Sequence, residues 1–381
     1  MSRPLESAPA TPEPAPAPER RDLRRTARVL LRPLAVYAAS RAAVLVSLWL
    51  VTRLQPGQSM TELFKTWDGN LYLQIIEGGY PEFPDDRGIF AFFPLYPLTS
   101  RAAAALPGLG ALEAGLLVGA VAGCAAAVLL WLLCRELLDE RTADRAVALF
   151  AFFPGSFVLS MVYSEGLMIA LAAGCLWALV RHQWLLAGVL AALATASRPN
   201  AIALIVACAW AAGMAVHARR DWRSLVAPAL APLGVLAYFG LLWVRTGDPL
   251  TWFTVQRELW EERVTPMALI DDLRVFVAAP FENTNTTAVV IGAAVSAVGL
   301  VMLVRSPLPS VLSVYAAVVI AMAACSETLG TRPRFVLTAF PIFFAFALRL
   351  QGVAFSAVLG LSATLLGGFT MISVATLLFT P

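Results

Sequence analysis

Apolar residues in this chain fall into long runs separated by short polar stretches, from about residue 33 to the C-terminal end. A helix that spans a bilayer needs about 20 mostly apolar residues. The runs predict helices near 33–51, 113–133, 146–162, 166–180, 184–197, 200–216, 225–244, 287–304, 309–325, 335–348 and 353–378, about eleven in all. Backbone in lipid must satisfy its own hydrogen bonds, so the expected class is all-α and polytopic. Several runs are too short for a straight crossing, and tilted, re-entrant or broken helices are expected among them.

Composition agrees. The chain has 381 residues, 59% of them hydrophobic and 14% charged, with a mean hydropathy of +0.74. Ordinary globular proteins are about 45–50% apolar and about 25% charged. A net charge of +3 makes no case for nucleic acid. Cys124, Cys134, Cys175, Cys208 and Cys325 are scattered and read as small hydrophobes. Lys65 is the only lysine, a bias that fits a GC-rich bacterial genome.

The polar residues sort by side. Residues 1–19 are Pro-, Ala- and Glu-rich without apolar periodicity, and read as a disordered cytoplasmic tail. Arg20, Arg21, Arg24, Arg25, Arg28 and Arg32 follow, and the positive-inside rule places them in the cytoplasm. Residues 20–381 then form one membrane domain. With that start, the cytoplasmic connections are Arg135 to Arg145, Arg181-His182, His217 to Arg223, Arg305-Ser306-Pro307 and Arg349, and all carry arginine. The other side receives 52–112, Ser164-Glu165, Ser197-Arg198-Pro199-Asn200, 245–286 and Ser326 to Arg334. The unusual polar motifs therefore gather on the extracytoplasmic face.

Asp68, in Trp67-Asp68-Gly69-Asn70-Leu71-Tyr72, has two readings. It is an N-cap for a helix ended by Gly78 and Gly79, or a general base for an attacking hydroxyl. A helix N-terminus keeps a carboxylate ionised, so both can hold. Trp67, Tyr80 and Tyr96 are interface anchors or rings on which a sugar stacks. Glu165 is a solvated turn or a site group, since ionisable residues near membrane depth usually have a function. Arg198 snorkels to headgroups or binds phosphate, which its planar fork suits. Arg332 and Arg334 flank Pro333 and form a second cationic point, either an interface pair or an anion site. Gln256, in a predicted amphipathic surface helix, can hydrogen-bond an acceptor. His182 and His217 lack ligand-spaced partners, and there is no Walker loop or Gly-x-Gly-x-x-Gly cradle. Glu82, Asp85 and Asp86 share a loop with Asp68, but acidic surface loops are common and no divalent metal is indicated.

Several of these phrases, in order, resemble the PIG-V family, the GPI mannosyltransferase 2 type of GT-C membrane glycosyltransferase. They are Trp67-Asp68, Gly79-Tyr80, Ala91-Phe92-Phe93-Pro94-Leu95-Tyr96-Pro97, Tyr163-Ser164-Glu165, Ser197-Arg198-Pro199-Asn200, Trp252 to Trp260, and Arg332-Pro333-Arg334-Phe335 through Phe340-Pro341. Where the family often has Arg-Tyr this chain has Arg334-Phe335, and Asn200 is followed by Ala201 where Gly is common. The resemblance implies a GT-C fold with an extracytoplasmic first loop. It also implies a polyprenyl-phosphate-linked sugar donor, usually mannose, and no nucleotide sugar; the reaction expected here is an inverting transfer from polyprenyl-phosphate-mannose to a glycolipid, glycan or protein, with no cofactor required. By this resemblance Asp68 is the catalytic base. Glu165 orients the acceptor or an arginine, and Arg198, Arg332 and Arg334 hold the donor phosphate. Trp67, Tyr80, Tyr96, Asn200 and Gln256 contact substrate. The expected place is a bacterial plasma membrane, with membrane lipids as surroundings. The rival reading is a transporter or flippase of a lipid-linked or glycan substrate, which would want its charges near the midplane and access from both sides.

Overall fold

The computed structural model describes residues 23–83, 86–328 and 330–376. The expected tail at 1–19 and Asp85 of the acidic loop lie outside these residues. Among the described residues there are eighteen α-helices and four 3-10 helices. The one β-type contact among them is an isolated bridge between Val264 and Ser326.

Among the described residues six helices are long and apolar enough to cross a membrane: Val29–Leu54, Ala111–Leu137, Pro199–Arg219, Trp222–Thr246, Thr284–Val304 and Gly352–Ala375. Of the about eleven expected runs, the shorter ones fold as bent or short helices, and the breaks have physical causes. The run at 146–162 folds as Glu140–Ala151 and Pro154–Ser160, bent by 78° at the intervening Phe152-Phe153. Pro154 starts the second piece because it cannot donate into the first. The run at 335–348 breaks into Pro333–Thr338 and Pro341–Arg349 for the same reason. Trp184–Thr195 has 12 residues, and at roughly 1.5 Å per residue it covers about 18 Å of a hydrocarbon layer about 30 Å thick. Such short helices are buried against longer ones, and the heaviest packing runs from Ala111–Leu137 to Glu165–Val180 and on to Trp184–Thr195.

A broken helix in a membrane leaves carbonyls without partners, each costly in lipid. Arg41, on the first long helix, answers this. Its guanidinium donates to the Ala151 carbonyl at 2.9 Å, the Ser156 hydroxyl at 2.8 Å, the Ser160 hydroxyl at 3.1 Å and the Ser156 carbonyl. It also lies 5.0 Å from the centre of the Tyr37 ring. An intramembrane arginine that the hydropathy pattern passes over is therefore the clamp on the bend.

Two glycines let the chain close tightly near the site. A Cβ at Gly155 would lie 2.3 Å from the Pro333 carbonyl carbon and oxygen and 2.6 Å from the Arg334 nitrogen. A Cβ at Gly292 would lie 1.8 Å from the Thr331 oxygen. The segment Thr331 to Arg334 is thus wedged between the bent helix and Thr284–Val304, and no larger side chain fits at either contact.

The two ends of the bundle differ. Arg32 meets Glu140 at 3.4 Å and Asp144 at 3.6 Å, and Arg181 meets Glu136 at 3.3 Å, so connections assigned to the cytoplasm share one end. These exposed pairs contribute little to stability. Replacing Arg41 by leucine is expected to cost on the order of 3 kcal/mol, because it strands several buried acceptors. Thermal unfolding of the detergent-solubilised protein should show a clear drop in midpoint, larger than for Arg32→Leu.

Candidate functional site

Asp68 is the first residue of the helix Asp68–Gly78. The N-cap expectation for it is corrected: Trp67 holds that place, and the cap makes no side-chain hydrogen bond. Trp67 has φ 58°, a backbone region that non-glycine residues seldom occupy and that recurs at functional sites. Its indole donates to the Ser373 carbonyl at 2.8 Å, which ties the turn to the last long helix. The helix ends at Gly78, with Gly79 at φ 79°. With its carboxylate not engaged in capping, Asp68 turns to Arg334, whose Nη1 donates to Oδ2 at 2.7 Å. Both side chains are largely buried, 17% and 8% exposed.

Glu165 repeats the arrangement. It is the first residue of Glu165–Val180 and is fully buried. Arg198 Nη1 lies 2.9 Å from its Oε1 and donates to the Ser164 hydroxyl at 3.1 Å. The Ser164 hydroxyl also shares a 2.6 Å hydrogen bond with Tyr72. Each acid therefore sits where a helix N-terminus favours negative charge, and each faces one guanidinium. Ser197-Arg198 precedes a 3-10 turn started by Pro199, which leaves Arg198 extended at φ −159° and reaching back towards Glu165.

One cavity of ≈ 810 Å³ joins these groups. Asp68, Arg198, Asn200, Arg332, Arg334, Trp67 and Gln256 all line it. Asn200 donates to the Thr338 hydroxyl at 3.0 Å. Glu165 does not line it and stands behind Arg198. Arg334 lies between two rings, 5.8 Å from Tyr163 and 4.8 Å from Phe335, within cation–π range. Burial first, and then the Arg334 charge, push the Arg332 guanidinium down to about 10, which leaves it cationic at neutral pH.

Tyr80 and Tyr96 do not line this cavity, and their expected contact with substrate is corrected. Both are buried, and their hydroxyls donate to the Phe92 and Gly115 carbonyls at 2.6 and 2.9 Å. Tyr96 and Tyr72 pack edge to face at 5.0 Å. Tyr80 fastens the first loop to itself, and Tyr96 ties it to Ala111–Leu137.

The cavity is also lined by groups not singled out from sequence: Glu262, Asp272, Asn283 and Asn285. The Glu262 carboxylate accepts from the Ser326 hydroxyl at 3.0 Å and from the Thr328 hydroxyl. Backbone bonds from Thr265 to Cys325 and from Glu327 to Arg263 fasten the same two loops, at 2.8 and 3.0 Å. The signal was present as Trp260-Glu261-Glu262, but an acidic pair after an amphipathic helix reads as solvated surface. Among the described residues no three His, Cys, Asp or Glu side chains are grouped for a metal ion.

Residues 93–243 match the family model described as Dolichyl-phosphate-mannose-protein mannosyltransferase, less than half of the chain. In structure the chain is similar to ArnT from Cupriavidus metallidurans bound to undecaprenyl phosphate, with a TM-score of 0.53 at 14% identity over 84% of this chain and 61% of that one. The same protein in the apo state gives 0.50 at 13% identity, over 83% and 60%. The Archaeoglobus fulgidus oligosaccharyltransferase in complex with Zn and sulfate gives 0.48 at 15% identity, over 86% and 53%. The chain thus spans about 61% of the length of ArnT. No curated protein matches it significantly in sequence. At such identity the likeness is one of fold: the chain shares the helical fold of the ArnT structures, and its long apolar helices are those of a multi-pass membrane protein.

Breaking one member of a buried ion pair leaves an uncompensated charge, at a cost of about 3–5 kcal/mol. Arg198→Ala should therefore destabilise the protein by about that much. Adding Glu165→Gln to Arg198→Gln should recover a large part, because no net charge stays buried. A double-mutant cycle on unfolding midpoints checks this; strictly additive losses would show that the two groups do not act as a pair.

Proposed function

We propose that this protein is an inverting glycosyltransferase that uses a polyprenyl-phosphate-linked sugar, with mannose as the sugar and a glycan, lipid or protein hydroxyl as acceptor. The observation that carries the reading is Asp68 held 2.7 Å from Arg334 on the wall of a cavity that Arg198 and Arg332 also line. A carboxylate with several guanidinium groups matches the charge changes of such a reaction. The GT-C fold shared with an ArnT structure bound to undecaprenyl phosphate supports the lipid-linked donor. The match to a mannosyltransferase family model supports the sugar, and the ordered motifs that resemble PIG-V point the same way. The distribution of arginines supports an active face outside the plasma membrane of a bacterium, with the N-terminus in the cytoplasm.

In this mechanism the acceptor oxygen attacks the anomeric carbon as Asp68 takes its proton. The bond from that carbon to the phosphate oxygen breaks on the opposite side, and polyprenyl phosphate departs carrying the bonding electrons. Negative charge grows on the leaving phosphate, so guanidinium groups already in place stabilise the transition state more than the ground state. Arg334 serves two partners in turn. Without donor it neutralises Asp68; with donor it turns to the phosphate and leaves the Asp68 carboxylate free to accept a proton. The base is thus released by the substrate whose leaving group needs the same cation. Glu165, buried behind Arg198, holds that arginine and not the acceptor. Asn200 and Gln256 are placed to bind hydroxyl groups, and Trp67 to stack on a sugar ring.

Purified protein supplied with synthetic polyprenyl-phosphate-mannose should transfer or slowly hydrolyse the sugar, with inversion at the anomeric carbon. Asp68→Asn should lower the rate by about 10²–10⁴-fold while the protein still inserts and unfolds cooperatively. Near-normal turnover in that variant removes Asp68 from the chemistry. Lipid movement across vesicles without cleavage of the sugar bond would replace the transferase reading with a transporter. Profiling of lipid-linked sugars in a deletion strain identifies the donor by its accumulation.

A further inference from the structure

Tyr163 contacts both members of the Asp68–Arg334 pair and belongs to neither the base nor the phosphate site. It is 1% exposed and sits in the short link between Pro154–Ser160 and Glu165–Val180. Its hydroxyl accepts the Asp68 backbone N–H at 3.3 Å and donates to the Thr66 carbonyl at 3.4 Å. Those two groups flank Trp67, the residue with the strained backbone. The face of the same ring receives Arg334, 5.8 Å from its centre. The next residue, Ser164, accepts from Arg198, and the one after, Glu165, is the partner of Arg198. Three consecutive residues thus reach both ion pairs.

We infer that Tyr163 is a positioning residue: its hydroxyl holds the Trp67-Asp68 turn in its strained conformation, and its ring holds Arg334 against the Asp68 carboxylate. The inference rests on the transfer reading above for its kinetic consequences, though the contacts themselves do not. Burial, and after it the Asp68 carboxylate, push the Tyr163 hydroxyl well above its ordinary range, so it stays protonated and able to donate. A strained turn persists only when its surroundings over-determine it. The indole bond of Trp67 to Ser373 fixes one side of the turn, and Tyr163 fixes the other.

The two functions of the side chain separate in two variants. Tyr163→Phe keeps the ring and removes the hydroxyl; Tyr163→Ala removes both. Hydrogen exchange of the segment containing Asp68 reads the hydroxyl without any need for activity. It should quicken by about tenfold in both variants, as the loss of one modest hydrogen bond predicts. In transfer kinetics with polyprenyl-phosphate-mannose, Tyr163→Phe should lower kcat by about tenfold and leave donor KM within about twofold. Tyr163→Ala should lower kcat by about a hundredfold and also raise donor KM, because Arg334 has lost one of its two rings. A Tyr163→Phe protein that exchanges and turns over like the wild type overturns the inference. Equal effects of the two variants on donor KM overturn the role of the ring. If the wild type transfers no sugar from any polyprenyl-phosphate donor, the transfer reading fails, while the exchange measurement still decides whether Tyr163 holds the Asp68 turn.

Discussion

A charge removed from water must be paired, and two acid–arginine contacts in this protein follow from that rule. Asp68 with Arg334 and Glu165 with Arg198 are each largely buried. Neither pair is a large source of stability, since desolvation offsets much of the attraction. Their value lies in arrangement. Each acid begins a helix, each arginine adjoins a proline that starts a short helical segment, and the pairs hold together four parts of the chain that hydropathy treats as separate. The rest of the site is built around them. Close packing at Gly155 and Gly292 brings in the Arg334 segment, Trp67 turns Asp68 away from the helix it would otherwise cap, and Tyr163 lies beneath both.

The all-α membrane class was legible in the sequence because apolar runs of that length seldom occur outside a bilayer. The charged residues that meet in the buried pairs stood out in the sequence: Glu165 and Arg198 as charges interrupting apolar sequence, Asp68 and Arg334 as members of polar motifs between apolar runs. Their pairing was not legible. Asp68 and Arg334 are 266 residues apart, and nothing local records which acid a given arginine will meet. Helix breaks were poorly read because Phe152-Phe153-Pro154 is as apolar as a continuous span, so hydropathy does not register the 78° bend. Arg41 was missed because one arginine barely lowers the mean of a long apolar window, and its partners are carbonyls and serine hydroxyls gathered at that bend. Tyr80 and Tyr96 were misplaced because an aromatic ring near an interface looks the same in sequence whether it faces a sugar or a neighbouring ring.

The lining of the cavity is chemically mixed. Arg198, Arg332 and Arg334 contribute cations and Asp68 an acid, while Glu262, Asp272, Asn283 and Asn285 add further acids and amides. Arg332 feels both signs, the charge of Arg334 and those of Asp272 and Glu262. Charges of both signs on one lining favour bound molecules whose own charge distribution complements them.

The long interval between Asp68 and Arg334 has a consequence for how the protein is made. Synthesis delivers the acid first, and the arginine follows only after most of the helices have been threaded into the bilayer. Until then Asp68 has to remain near water, and the strained turn that carries it lacks both Ser373 and Arg334 as anchors. Assembly of the paired geometry is therefore a late event, and a prematurely terminated chain carries an unmatched carboxylate where a finished one carries a neutralised pair.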